Sequence, residues 1–355
     1  MTIPATAPVE SAAVAAPRIL GRCRELVRPA MVDAIGRLHP WTGEMAAFSL
    51  GWHDAGGTPD PGASEGKGVR QALAVLSAEA VGADSRSAVA GAVAVELVHA
   101  FSLLHDDIMD GDGMRRQRET VWKAYGTGPA VLAGDALFAL AMQTLAEAPG
   151  PHTAAAVRCL CETLAELVRG QAEDLLFEAR PWTGPDAVRP DEYRSMAERK
   201  TGALLGCAAA LGALLGGAPP RTVTALDRAG RHLGVAFQAV DDLLGIWGDP
   251  VVTGKPVHGD LRKRKKTYPV LAALAGDGSS ARELALLLNS PQPLDDRAAS
   301  HAAGLVDLAG GRAATVEEAR RHLDAARDCL DGVPLDPCAS RDLRTLLTFL
   351  LHRTV

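Results

Sequence analysis

The chain has 355 residues, enough to bury a sizeable core as one large domain or two average ones. Aromatic residues make up only 4% of it and no run of alternating β-branched residues occurs, which weighs against a sheet-built fold and predicts an all-α chain. A formal net charge of -6 argues against a broad nucleic-acid surface, and six cysteines without a CxxC pair or zinc spacing suit reduced thiols in a cytoplasmic protein with no signal peptide.

Residues 1–16 (MTIPATAPVESAAVAA) are small, contain proline and lack a helical stripe, so they read as a disordered tail before a single all-α domain over 17–355. A first helix is expected over 18–38. The segment 53–68 (HDAGGTPDPGASEGKG) is too rich in Gly, Pro and Asp to be regular, and it delivers Lys67 and Arg70 to the start of the next helix. Two basic side chains beside free helix amides make a candidate diphosphate clamp. From Asp84, a candidate N-cap, a central helix runs through Val89, Val93, Leu97, Phe101 and Leu104 toward Asp110.

The end of that helix and the loop after it, 96–118 (ELVHAFSLLHDDIMDGDGMRRQR), hold the first chemistry. Asp106 and Asp110 lie one turn apart on one face, with Asp107 beside them and His99 two turns above on the same stripe. Acids so close repel unless a cation intervenes, and hard carboxylate oxygens suit Mg²⁺. Arg115, Arg116 and Arg118 follow as donors for phosphate oxygens.

Helical periodicity continues through 134–148 and 153–179, with PGP and PWTGP as breakers. Lys200 and Thr201 then stand where polar residues give way to the apolar stretch 201–220. That stretch is long enough for a membrane span, but its alanines and glycines favour a buried helix, and no span is expected. A second acid cluster closes another apolar helix within 233–270: Gln238, Asp241 and Asp242 fall at i, i+3 and i+4. Asp249, Lys255, Asp260 and the basic run 262–266, which includes Lys265, follow it. The run lacks interleaved aromatic residues, so nucleic acid is not an expected partner. Residues 316–333 read as a closing amphipathic helix.

Two helix-borne acid clusters, each trailed by basic residues, resemble the trans-isoprenyl diphosphate synthases of the polyprenyl synthetase family. The likeness runs from about residue 66 to 269 in order: GKGVR (66–70), ELVHAFSLLHDDIMD, RRQRET (115–120), GDAL (134–137), GQAED (170–174), KTGAL (200–204), FQAVDDLLGIWGDP and TGKPVHGDLRKRKKTYP. The chain departs from the family pattern at Gln71, Glu119 and Gly245, the last standing where the second motif usually has its third acid.

The resemblance implies one helical bundle of the isoprenoid synthase type with a central cavity, working as a homodimer. It implies that Asp106, Asp110 and Asp241 bind three Mg²⁺ ions, that Arg115, Lys200 and Lys255 hold an allylic diphosphate with Thr201, Gln238 and Lys265 nearby, and that Lys67, Arg70, His99 and Arg116 hold isopentenyl diphosphate. Asp107 joins the catalytic set. An aromatic at Phe101 followed by the small Ser102 is similar to the pattern of geranylgeranyl diphosphate synthases, with Phe101 as the pocket floor. Rival readings are a class I terpene cyclase, from which Lys67, Arg70 and His99 distinguish it, and a catalytically silent synthase subunit, which tends to lose metal acids that are kept here.

Overall fold

The computed structural model describes residues 12–59, 66–250 and 257–351. Helix α1 (Ala12–Gly36) starts earlier than expected, so Ala12 to Ala16 of the segment read as a tail are helical, with Ala15 and Ala16 buried. Pro17, one residue before the expected start, lies inside α1, and the helix ends at Gly36 rather than at residue 38. Helix α2 (Pro40–Ser49) follows, with His39 Nδ1 accepting from the Trp41 amide at 3.3 Å. Helix α3 (Val69–Ala80) leads to a 3₁₀ turn, Ser85–Ala88, which Asp84 caps through the Arg86 amide at 2.8 Å. The expected cap therefore belongs to that turn, and α4 (Val89–Met109) grows out of it.

A two-stranded ribbon, β1 (Met114–Arg115) and β2 (Arg118–Glu119), is the exception to the all-α architecture among the described residues. It is followed by α5 (Val121–Tyr125), α6 (Thr127–Ala146), α7 (Thr153–Ala179) and α8 (Pro190–Ala197). A π-helical turn, Glu198–Gly202, feeds α9 (Ala203–Leu215), and α10 (Pro220–Trp247) is the longest helix of the second half. Then come α11 (Gly259–Arg262), α12 (Tyr268–Leu274), α13 (Ser279–Asn289), α14 (Asp296–Leu308), α15 (Gly311–Asp331) and α16 (Pro337–Leu351).

The main core is built from α1, α3, α4, α6, α9 and α10, with Leu76, Leu97, Leu137, Leu204, Leu211 and Leu233 fully buried. Helix α4 sits at its centre, packed on α3, α6 and α9. Its N-terminal half is small and apolar, and Ala92, Val93, Ala94, Val95, Leu97 and Val98 are buried on every side. Beyond Ala100 the pattern opens: Phe101, Ser102, His105, Asp106 and Asp110 are only half-buried. The polar end of a core helix is thus held rigidly by its apolar start.

Within the apolar stretch 201–220, Ala203–Leu215 form α9, which is 13 residues long and buried over most of its length. By length and composition alone, two other helical segments, Ser85–Met109 and Thr127–Ala146, could cross a membrane. The first is the central core helix just described.

Candidate active site

Three elements converge on the acid end of α4. The π turn carries Lys200, whose Nζ donates to Asp174 Oδ2 on α7 at 2.6 Å and lies within charge range of Asp106 and Asp110. Gly170 of α7 makes this crossing possible, since a Cβ there would sit 2.9 Å from the Arg199 carbonyl carbon. The widened turn also sends Thr201 toward α10, where its hydroxyl donates to Gln238 Oε1 at 3.0 Å. From the other side Lys265 Nζ donates to Asp110 Oδ2 at 2.9 Å, and Lys263 pairs with Asp112. Burial lowers the Lys265 ammonium, but the bond to Asp110 outweighs it and holds the group well above its ordinary range.

Asp106 and Asp107 differ although adjacent. Burial pushes the Asp106 carboxyl up, Lys200 draws it down, and Asp110 pushes it up again. Asp107 points inward, is buried, and accepts both Nε (2.8 Å) and Nη2 (2.7 Å) of Arg115. Arg115, expected at a diphosphate, is therefore anchored to the acid motif it follows.

In α10, Gln238, Asp241 and Asp242 do not share one environment. Asp242 is buried and accepts from Gln238 Nε2 (2.9 Å), the Tyr193 hydroxyl (2.8 Å) and the Tyr268 amide (3.0 Å). Burial pushes its carboxyl up to about 7 against the pull of those donors. Asp241, one residue earlier, is exposed at the head of the same turn. Lys255 lies outside the described residues.

The residues expected at the second diphosphate gather around the start of α3. Arg116 and Gln117 form the turn between β1 and β2 with φ of 50° and 64°, a left-handed pair built without glycine. Such geometry costs about 1–2 kcal/mol per residue, and it aims the Arg116 guanidinium at Gly66, where a Cβ would meet Nη1 at 2.7 Å. Arg70 Nε is buried without a hydrogen-bond partner. Burial lowers the Arg70 guanidinium only to about 10, so it stays charged. Glu96 accepts the Gln71 amide at 3.0 Å and offsets part of the positive charge. His99 is held well below its ordinary range, first by burial and then by Arg70, Arg116 and Arg115, so it is neutral. Lys67 is exposed, its ammonium 5.5 Å over the Phe237 ring. An orphaned buried donor inside a cluster of arginines is a place for an anion.

The donor set also fits Mg²⁺. No group of three or more acidic, histidine or cysteine side chains forms a ready-made cage among the described residues. Mg²⁺ does not ask for one, because it keeps several waters and is held by one or two carboxylates together with substrate phosphates. Asp106 with Asp110 offers such a pair, and Asp241 offers a single carboxylate.

Sequence reasoning assigned no role to Asp174, Glu96 or Tyr193. Asp174 sat within the matched segment GQAED, whereas Tyr193 carried no local signal. Below the acid motif, Phe101 packs edge-on against His105, with ring centroids 4.8 Å apart, and against Phe138 of α6 at 5.5 Å. The Ser102 hydroxyl donates to the His99 carbonyl at 2.9 Å.

Known proteins share both the sequence and the shape. The polyprenyl synthetase family model matches residues 62–303. A (2E,6E)-farnesyl diphosphate synthase of Mycobacterium tuberculosis is 45% identical over 340 residues, spanning 94% of this chain and 92% of its own. A geranylgeranyl diphosphate synthase of the same organism is 43% identical over 336 residues, spanning 94% and 93%. The solved polyprenyl synthetase from Streptomyces coelicolor superposes with a TM-score of 0.88 at 46% identity, covering 94% of this chain and 98% of that one. With the fold, the two acid-bearing helices and these relatives in agreement, the chain belongs to the polyprenyl synthetase family and is a prenyltransferase, a trans-isoprenyl diphosphate synthase.

Proposed function

We propose that the enzyme joins isopentenyl diphosphate head-to-tail to an allylic diphosphate, with three Mg²⁺ ions, and stops at geranylgeranyl diphosphate (C20). The observation that carries this reading is the pairing of two unlike sites. One is an acid set with lysines (Asp106, Asp110, Lys200, Lys265), and the other a pair of arginines, Arg70 with its buried Nε and the exposed Arg116, beside a neutral histidine, His99.

The acid set takes the diphosphate that leaves. Its allylic C–O bond breaks with both electrons going to the diphosphate oxygen, so negative charge grows there in the transition state. Lys200 and Lys265 stabilise that growth, and they are already oriented by Asp174 and Asp110. Mg²⁺, when bound to Asp106, Asp110 and Asp241, supplies further neutralisation of the leaving group. Arg115, Thr201, Gln238 and Lys255 complete the allylic side. On the other side Lys67, Arg70, His99 and Arg116 hold the diphosphate that stays. The isopentenyl double bond attacks the allylic carbon, and the proton lost from the new chain passes to the departed diphosphate.

Product length rests on Phe101. It lies five residues before Asp106, about 7.5 Å along the helix at about 1.5 Å per residue, and its ring is braced by His105 and Phe138. The two Mycobacterium tuberculosis relatives carry different product names at nearly equal identity, so chain-wide similarity does not choose between C15 and C20. Exposed Val131, Leu132 and Phe138 on α6 support a homodimer. Six free thiols support a cytoplasmic location.

The test is turnover of dimethylallyl, geranyl and farnesyl diphosphate with isopentenyl diphosphate by the purified protein alone, with products resolved by chromatography. A C20 product is expected, and Phe101→Ala should lengthen it to C25 or beyond. No elongation would leave the silent-subunit reading, and an unchanged length distribution in Phe101→Ala would remove the floor assignment.

A further inference from the structure

The second acid motif is incomplete in sequence but not in space. Position 245 lies one turn after Asp241 on the same face, where the family's second motif usually has its third acid, and Gly245 stands there instead. A Cβ built on Gly245 would overlap Asp260 Oδ2 and lie 2.5 Å from Asp260 Cγ. The volume that a side chain at 245 would fill is therefore occupied by the carboxyl group of Asp260, brought in from a different helix.

The chain holds it there. The His258 amide donates to the Ile246 carbonyl at 3.1 Å and His258 Nδ1 lies 2.7 Å from the same oxygen. Leu261 is buried in one apolar cluster with Ile246. These contacts dock α11 against the end of α10, with Asp260 between them. The Asp260 carbonyl accepts the Lys265 amide at 2.9 Å, so the turn that presents Asp260 also aims Lys265 at Asp110.

We propose that Asp260 supplies, across space, the third carboxylate that Gly245 leaves out, and that it orders the water shell of the metal ion bound by Asp241. This rests on the diphosphate synthase reading above. Glycine at 245 is then a requirement of Asp260 rather than a lost function, because any side chain there expels the carboxylate. Asp260 acts through water as a positioning residue, and partners of that kind contribute about 10–100-fold to metal affinity.

The experiment measures Mn²⁺ binding to the full chain by electron paramagnetic resonance in the presence of inorganic diphosphate. Asp260→Asn should weaken Mn²⁺ affinity about 10-fold or more, and Gly245→Ala should do the same by displacing Asp260. The double variant Gly245→Asp with Asp260→Gly should regain most of what Asp260→Gly loses, since the acid returns to the same place from the other helix. Unchanged Mn²⁺ affinity in a folded Asp260→Asn variant overturns the proposal, as does a double variant that binds no better than Asp260→Gly. Should the parent bind Mn²⁺ and diphosphate yet elongate nothing, the proposed function fails while the binding comparison still decides the role of Asp260.

Discussion

Adjacent carboxylates take opposite roles according to which way the helix turns them. Asp107 and Asp242 face inward and are consumed by Arg115 and by two tyrosines, while Asp106 and Asp241 keep at least part of their surface open. Residue type and spacing made both DD pairs visible in the sequence, but the inward partner of each was not visible. Tyr193 lies 49 residues from Asp242 and is brought to it by packing alone. Asp106→Ala and Asp241→Ala should each lower kcat by at least about 10²-fold, the scale of one preorganised electrostatic group. The melting temperature should move little, and full Mg²⁺-dependent turnover in either variant would contradict the assignment. His99 is held neutral by burial and by the arginines around it, so on the proposed reading it would offer isopentenyl diphosphate a hydrogen bond rather than a charge. Losing a hydrogen bond to a charged group costs about 1.5–3 kcal/mol. His99→Ala should thus raise KM for isopentenyl diphosphate about 10-fold or more, with a smaller change for the allylic substrate. Equal changes in both constants would place His99 elsewhere.

One helix with uninterrupted periodicity was legible to the residue, the expected 153–179 being α7, Thr153–Ala179, while the amphipathic helix expected over 316–333 is α15, Gly311–Asp331. Boundaries marked by glycine and proline were less so: α6 begins at Thr127 and takes Pro129 into its first turn, where the missing amide proton costs no helix bond. The π turn that sets Lys200 was illegible, because its extra residue answers to the close passage of α7 at Gly170 and not to any local preference. The same logic governs the crossing of α3 and α9. Gly212 packs so near the Ala74 carbonyl that a Cβ would overlap its oxygen and sit 2.8 Å from its carbon. Backbone cannot swing aside as a flexible side chain can. Gly212→Ala should destabilise the protein by about 1–3 kcal/mol, the range for overpacking a tight core, despite the better helix propensity of alanine. Urea denaturation would measure it, and a stabilised variant would mean that the two helices separate at no cost.

At the scale of the molecule, helices far apart in sequence are tied by polar contacts. Glu318 of α15 is buried, and its carboxylate accepts Arg194 from α8, the Tyr268 hydroxyl from α12 at 3.2 Å, and Arg321 and His322 from its own helix. Arg194 and Glu318 are 124 residues apart, and nothing in the closing amphipathic pattern marked Glu318 out from the other acids of its helix. Through Tyr268, whose amide binds Asp242, the network reaches the second acid motif. Burial alone would raise the Glu318 carboxyl, but the bonds from His322 and Arg194 outweigh it and hold the group well below the usual glutamate range. A carboxylate with a depressed folded pKa contributes stability that is complete above its unfolded value, about 4.3, and that is lost as pH falls from there through the folded value. Glu318→Gln should therefore cost about 2–3 kcal/mol at pH 7, the scale of losing charged hydrogen bonds. The gap between variant and parent should narrow steadily below about pH 4.3. Urea midpoints for both proteins at several pH values between neutral and strongly acidic test this. A gap that does not change with pH would mean that Glu318 holds α8, α12 and α15 together by packing, with its charge playing no part.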